Sequence, residues 1–146
     1  MLKGIDPLLT PELLMRLAEM GHGDEIVIAD ANFTAARLAV RNPVIHLPGV
    51  DVERASRAVL SLLPAEGLGH MQVEGRADGW RSAQQQRVLA MIDAAALAPG
   101  LACEAIERFA FYERARAAHA IVLTGELQPY GNFIFRKGVI GEPLAQ

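Results

Sequence analysis

Three short stretches limit what this chain can become: Ile26-Val27-Ile28-Ala29, Ala120-Ile121-Val122-Leu123 and Phe133-Ile134-Phe135. Continuous apolar runs of this kind are typical of strands buried on both faces, as in a sheet covered by helices. Segments with helical spacing lie between them. Thr10-Pro11-Glu12 is a helix start: threonine caps free N–H groups, proline suits the first helical position and glutamate faces the positive end of the dipole. Leu13, Leu14, Leu17 and Met20 follow as an apolar stripe, and Gly21 stops it. Asp51 caps a second helix carrying Val52, Ala55, Val59, Leu62 and Leu63, which Pro64 ends. Residues 78–93 read as a helix with Trp80, Ala83, Val88 and Ile92 towards the core, and residues 109–118 as another. Residues 71–74 alternate like a strand, and residues 104–107 fit a brief one. Strands and helices alternating in this way predict an α/β fold, a single layered domain with a mostly parallel sheet flanked by helices.

Composition agrees. With 146 residues, 51% hydrophobic and 21% charged, the chain suits one domain, residues 1–146, with a real core. A net charge of −3 without a lysine- or arginine-rich block argues against nucleic acid or an anionic membrane as partner. No stretch reaches the roughly 20 apolar residues of a membrane span. An acid and a proline interrupt Met1-Leu2-Lys3-Gly4-Ile5-Asp6-Pro7 before any apolar run builds, unlike a signal peptide. The expectation is a soluble cytoplasmic protein. Cys103, the only cysteine, has no partner for an intramolecular disulfide and reads as a small buried apolar side chain.

Several polar residues stand where chemistry could use them. His22 lies between two glycines that leave its ring approachable, and histidine exchanges protons near neutrality. It is equally a polar residue after a helix end, favoured there by the dipole. Asp30 follows the first apolar run, and ligands of open α/β sheets gather beyond the carboxyl ends of strands; aspartate is also an ordinary turn residue. Arg108 precedes an aromatic run. Its guanidinium offers five donors in a planar fork, though a solvated charge explains it as well. Phe109, Phe111 and Tyr112 could line the apolar face of a sugar or belong to the core. Tyr130-Gly131-Asn132 combines a phenol with a carboxamide, in a segment that also reads as a turn. The four histidines lack H-x-x-x-H pairing, and no Walker loop, G-x-G-x-x-G turn or G-x-S-x-G elbow occurs. The expectation is no metal and no cofactor.

Read together, Gly21-His22-Gly23-Asp24-Glu25, Asp30, Arg108-Phe109-Ala110-Phe111-Tyr112-Glu113-Arg114, Thr124-Gly125-Glu126 and Tyr130-Gly131-Asn132 resemble the L-fucose mutarotase branch of the bacterial sugar mutarotase and D-ribose pyranase family. The likeness runs from Met1 to Val139 and is poor between Ala65 and Leu101. It implies that His22 is the catalytic proton donor and that Asp30, Arg108, Tyr130, Gly131 and Asn132 bind substrate. Histidine is typical of the pyranase branch where Arg108 stands here, so the resemblance leans towards fucose. It also implies a ring-type homo-oligomer, often a decamer, with each site near a subunit boundary.

The resulting expectation is a cofactor-free mutarotase acting on a monosaccharide, interconverting α and β anomers of L-fucose or a similar pyranose by acid–base ring opening and closure. D-ribose pyranase activity and a non-catalytic sugar-binding module accessory to uptake are the alternatives. His22 precedes the first strand while Asp30 follows it, so the two meet only if a loop returns or a second subunit contributes.

Overall fold

The computed structural model describes Met1–Gln146. Its elements run α1 (Pro11–Glu19), β1 (Glu25–Ala29), α2 (Ala35–Leu38), β2 (Val44–Leu47), α3 (Val52–Leu60), β3 (Ala65–Met71), α4 (Ala83–Ala94), β4 (Cys103–Ile106), α5 (Arg108–Ala117), β5 (Ala120–Thr124) and β6 (Phe133–Lys137). The strands form one six-stranded sheet in the order β2-β5-β1-β6-β3-β4. Pairings β1–β5, β2–β5 and β3–β4 are parallel; β6 runs antiparallel to both β1 and β3. The expected α/β fold with a mostly parallel sheet flanked by helices is the one observed.

Both faces of the sheet are covered, which accounts for the continuous apolar runs. Ile26 and Ile28 pack with the side chains of α1, α3 and α4, while Val27 and Ala29, on the opposite face, pack with those of α2 and α5. Alternation along one strand thus feeds two separate cores. Thr10 caps α1 by accepting from the N–H of Leu13 at 3.2 Å, and Asp51 caps α3 by accepting from that of Arg54 at 2.8 Å. Lys137 Nζ donates to the carbonyls of Leu17 (2.9 Å) and Met20 (2.6 Å), closing the C-terminal end of α1.

Some boundaries differ from the sequence reading. The strand expected at residues 71–74 lies earlier and ends at Met71. Its glycines hide it: a Cβ on Gly69 would sit 2.9 Å from Ile134 Cγ2, so the position packs by lacking a side chain. Helix α4 starts at Ala83, not 78, because Ser82 caps it and Gln85 completes a capping box. Trp80 therefore lies outside the helix with Arg76 stacked 4.4 Å above its ring, while Val88 and Ile92 are core residues. Helix α2 and edge strand β2, each of four residues, were not expected. Cys103 is half-buried, and burial pushes its thiol up to about 11.

Candidate active site

The antiparallel insertion of β6 shapes the site. Because β6 runs against its neighbours, its first residue lies at the end of the sheet where β1, β3 and β4 finish. Asp30 directly follows β1, Met71 ends β3, Arg108 begins the helix after β4, and Tyr130-Gly131-Asn132 leads into β6. These segments enclose a hollow of about 230 Å³ lined by Asp30, Asn32, Phe33, Met71, Arg108, Tyr112, Pro129, Tyr130 and Asn132. Drug-sized ligands occupy roughly 300–1,000 Å³, so this hollow suits a single sugar ring.

Asp30 and Asn132 form its floor, each 3% exposed. The backbone N–H of Asp30 donates to Asn132 Oδ1 at 2.7 Å, and the N–H of Asn32 donates to Asp30 Oδ1 at 3.0 Å. Burial raises the Asp30 carboxyl above the usual carboxylate range. The N–H groups of Asn32 and Gly131 and the Asn132 side chain oppose the rise, and the negative charge of Glu126 adds to it. Asn132 Nδ2 lies 3.7 Å from the weak acceptor Met71 Sδ, and with two hydrogens it keeps donor capacity for a ligand.

On the rim, Arg108 Nε donates to Tyr112 Oη at 2.9 Å, while Nη1 reaches Glu74 at 3.4 Å. Having accepted from Arg108, the Tyr112 hydroxyl keeps its own hydrogen free to donate. The aromatic run is divided by its helical spacing: Tyr112 lines the hollow, Phe111 is fully buried, and Phe109 is 61% exposed. Phe33 meets the edge of Tyr112 at 5.7 Å between ring centroids, supplying an apolar wall. Tyr130 adopts φ 61°, a conformation rare outside glycine. Gly131 does not line the hollow. A Cβ there would lie 2.8 Å from Gln128 O and 3.0 Å from Gln84 Nε2, so the position admits only glycine if its neighbours stay in place.

His22 is not brought to this hollow within the subunit. It sits on the exposed loop before β1, with Nε2 2.7 Å from Glu66 Oε2 at the start of β3. Facing a carboxylate, which accepts, Nε2 carries a hydrogen. The loop is pinned at the sheet's far end, where the N–H of Gly23 donates to Lys137 O at 2.8 Å. Five strand residues separate the imidazole from Asp30, roughly 16 Å of extended chain. Of the residues singled out from the sequence, Asp30, Arg108, Tyr130 and Asn132 converge, Gly131 shapes the loop beneath them, and His22 stands apart.

Sequence reading overlooked Asn32, Phe33 and Met71 in the lining, together with buried Gln84 and Gln85 behind it. Asn32-Phe33 could have been flagged as the continuation of the post-strand loop. The glutamines, polar residues opening a helix, gave no such signal.

Comparison with known proteins gives this geometry a context. The sequence profile of the RbsD / FucU transport protein family matches residues 3–140. An L-fucose mutarotase of Glaesserella parasuis serovar 5 (strain SH0165) is 47% identical, covering 95% of this chain and 96% of its own. The crystal structure of the fucose mutarotase from Streptococcus pneumoniae, in complex with L-fucose, superposes with a TM-score of 0.81 at 34% identity, covering 96% of this chain and 100% of the other. Bacillus subtilis RbsD, complexed with D-ribose, shares the fold with a TM-score of 0.75 at 24% identity, covering 97% and 100% of the two chains.

Proposed function

The chain belongs to the RbsD / FucU transport protein family, and on that premise we propose that it is a mutarotase, an isomerase that interconverts the α and β anomers of L-fucose or a similar pyranose. The convergence of Asp30, Arg108, Tyr130 and Asn132 on one hollow sized for a sugar ring carries this reading. The relatives named L-fucose mutarotase support it.

A cyclic sugar is a hemiacetal. A base removes the proton of the anomeric hydroxyl while an acid protonates the ring oxygen; the bond between C1 and the ring oxygen breaks, and an aldehyde forms. Rotation about C1–C2 followed by closure gives the other anomer. Nothing is oxidised and no group leaves, so two positioned proton-transfer groups suffice, at typically 10²- to 10⁴-fold per group. In this reading Arg108 and Asn132 hold ring hydroxyls, Asp30 accepts from a hydroxyl with a carboxyl that burial raises above the usual range, and His22 is the main proton carrier with the Tyr130 phenol as its complementary partner, one giving a proton as the other takes one.

His22, the main proton carrier, reaches the hollow from a neighbouring copy. Its distance from Asp30 along β1 makes a contribution within one subunit impossible without unfolding the loop held by Gly23 and Lys137. A ring-type homo-oligomer, up to a decamer, supplies that neighbour. A cytoplasmic location belongs to the same proposal and is tested by cell fractionation.

One observation favours a second reading. Within a single subunit the hollow lacks an imidazole, as a non-catalytic sugar-binding module would. Saturation-transfer NMR between α- and β-L-fucose distinguishes the two: catalysed exchange supports the mutarotase, and binding without exchange supports the module. Repeating the assay with galactose, rhamnose and D-ribose, with furanose–pyranose exchange followed for ribose, separates fucose mutarotase from pyranase activity.

A further inference from the structure

The strained residue of the hollow is held from behind by a side chain that never reaches the ligand. Tyr130 keeps φ 61° on the loop entering β6, where a bulky residue is disfavoured unless its surroundings fix it. Its carbonyl accepts from Gln85 Nε2 at 3.0 Å, and the same nitrogen donates to the carbonyl of Met71 at 2.8 Å. Met71 and Tyr130 both line the hollow yet belong to different segments, the end of β3 and the loop before β6. One fully buried carboxamide therefore fastens two walls of the site to each other.

The other end of that carboxamide is anchored as well. Gln85 Oε1 accepts from the N–H of Ser82 at 3.0 Å, while Ser82 Oγ accepts from the N–H of Gln85 at 3.1 Å. This capping box ties Gln85 to the first turn of α4. Adjacent Gln84 braces the same loop: its Nε2 donates to Glu126 Oε1 at 3.0 Å and lies directly below Gly131. A capping box accepts glutamate or glutamine at this position. The loop does not, because a carboxylate would turn an oxygen towards two carbonyl oxygens inside the protein. The amide is required by the hollow rather than by the helix.

We infer that Gln85 is a positioning residue, whose carboxamide locks Tyr130 in its left-handed conformation against Met71 and so sets where the phenol stands in the hollow. The consequence for catalysis rests on the mutarotase reading; the conformational lock does not.

The test compares the full-length, assembled protein with Gln85→Glu, which keeps the oxygen that caps α4 and loses the donors, and with Gln85→Met, which removes the donors without introducing charge. The expected result for both is a fall of at least tenfold in anomer exchange at saturating L-fucose, with less than a further twofold loss when either change is made in a Tyr130→Phe background. Exchange by Gln85→Glu recovers as pH falls, because the protonated carboxyl again donates one hydrogen bond; the wild type and Gln85→Met show no such recovery. Full exchange in both variants overturns the inference, as does an equal loss with and without the Tyr130 hydroxyl. If the wild type itself does not accelerate exchange, the mutarotase reading fails alone, and the lock is judged by crystal structures of the variants. Tyr130 remaining left-handed in both then overturns it, and its relaxation to negative φ supports it. Should Gln85→Glu fail to fold, Gln85→Met carries every comparison except the pH recovery.

Discussion

The backbone N–H of Asp30 and the carboxamide oxygen of Asn132, 2.7 Å apart, join the end of β1 to the start of β6 across 102 residues of sequence. This bond satisfies a buried donor and fixes the two floor residues relative to each other. Asn132→Ala leaves that buried N–H without its partner, a loss of about 1–3 kcal/mol. For a chain of this size each kcal/mol lowers the melting temperature by roughly 2–4 °C. Calorimetry should therefore show both a lower melting temperature and weaker L-fucose binding. Unchanged stability in this variant would mean that the Asp30 N–H finds another partner.

Asp30 itself should trade stability for function. Its carboxyl is raised in the fold by burial, so its contribution is fully present below the unfolded value near 3.9 and is lost as pH rises through the folded value. At neutral pH the buried charge is a standing cost. Asp30→Asn keeps an oxygen for the N–H of Asn32 and removes the charge. The expected outcome is a higher melting temperature than wild type at pH 7, a difference that closes as pH approaches 3.9, and loss of anomer exchange. A variant less stable than wild type at pH 7 contradicts the assignment of burial as the dominant influence.

His70 predicts the opposite pH limb. Fully buried, it accepts from Arg81 Nε at Nε2 (3.3 Å) and contacts the Met71 carbonyl through Nδ1 (3.2 Å). Both contacts use the neutral ring. Burial, with the charge of Arg81 adding, lowers its pKa below 6.5. The stability it contributes is complete above the unfolded value of about 6.5 and declines as pH falls towards the folded value, by at most about 1.4 kcal/mol per pH unit. Urea denaturation at pH 7.5 and 5.5 should show a larger drop for wild type than for His70→Gln. Equal drops would assign the acid sensitivity to other groups.

Much of this architecture was legible in the sequence because it rests on local rules. The runs at residues 26–29, 120–123 and 133–135 became β1, β5 and β6 since covered strands need apolar residues on both faces, and Thr10 and Asp51 capped helices as their chemistry requires. Strand β3 was expected too late in the chain because Gly67 and Gly69 pack by having no side chain, a property set by Arg136, Ile106 and Ile134 far along the chain. Asp30 was legible as a strand-end acid, but its pairing with Asn132 depends on β6 running antiparallel, which no local pattern announces. Gln85 was invisible for the same reason: in sequence it is one of three glutamines opening a helix, and only the folded loop shows two carbonyls waiting behind it. His22 is the reverse case. Its glycine setting drew attention, yet sequence proximity to Asp30 says nothing about which end of the strand each occupies.

That separation makes a sharp prediction about the assembly. His22→Ala should abolish catalysed anomer exchange while leaving L-fucose binding largely intact, because the residues that hold the sugar hydroxyls all belong to the hollow itself. Asp30→Asn should also be inactive, for want of the carboxyl. If a site takes its carboxyl from one subunit and its imidazole from the next, co-expressing the two inactive variants restores function. A site is competent when a His22→Ala subunit supplies the hollow and an Asp30→Asn neighbour supplies the histidine, which on random mixing is about one site in four. Saturation-transfer NMR on the mixed oligomer should therefore recover about a quarter of the wild-type exchange rate, with no recovery when separately assembled oligomers are combined without subunit exchange. Mixed oligomers as inactive as their parents would remove His22 from the neighbour's site and leave the proton transfers to the hollow alone.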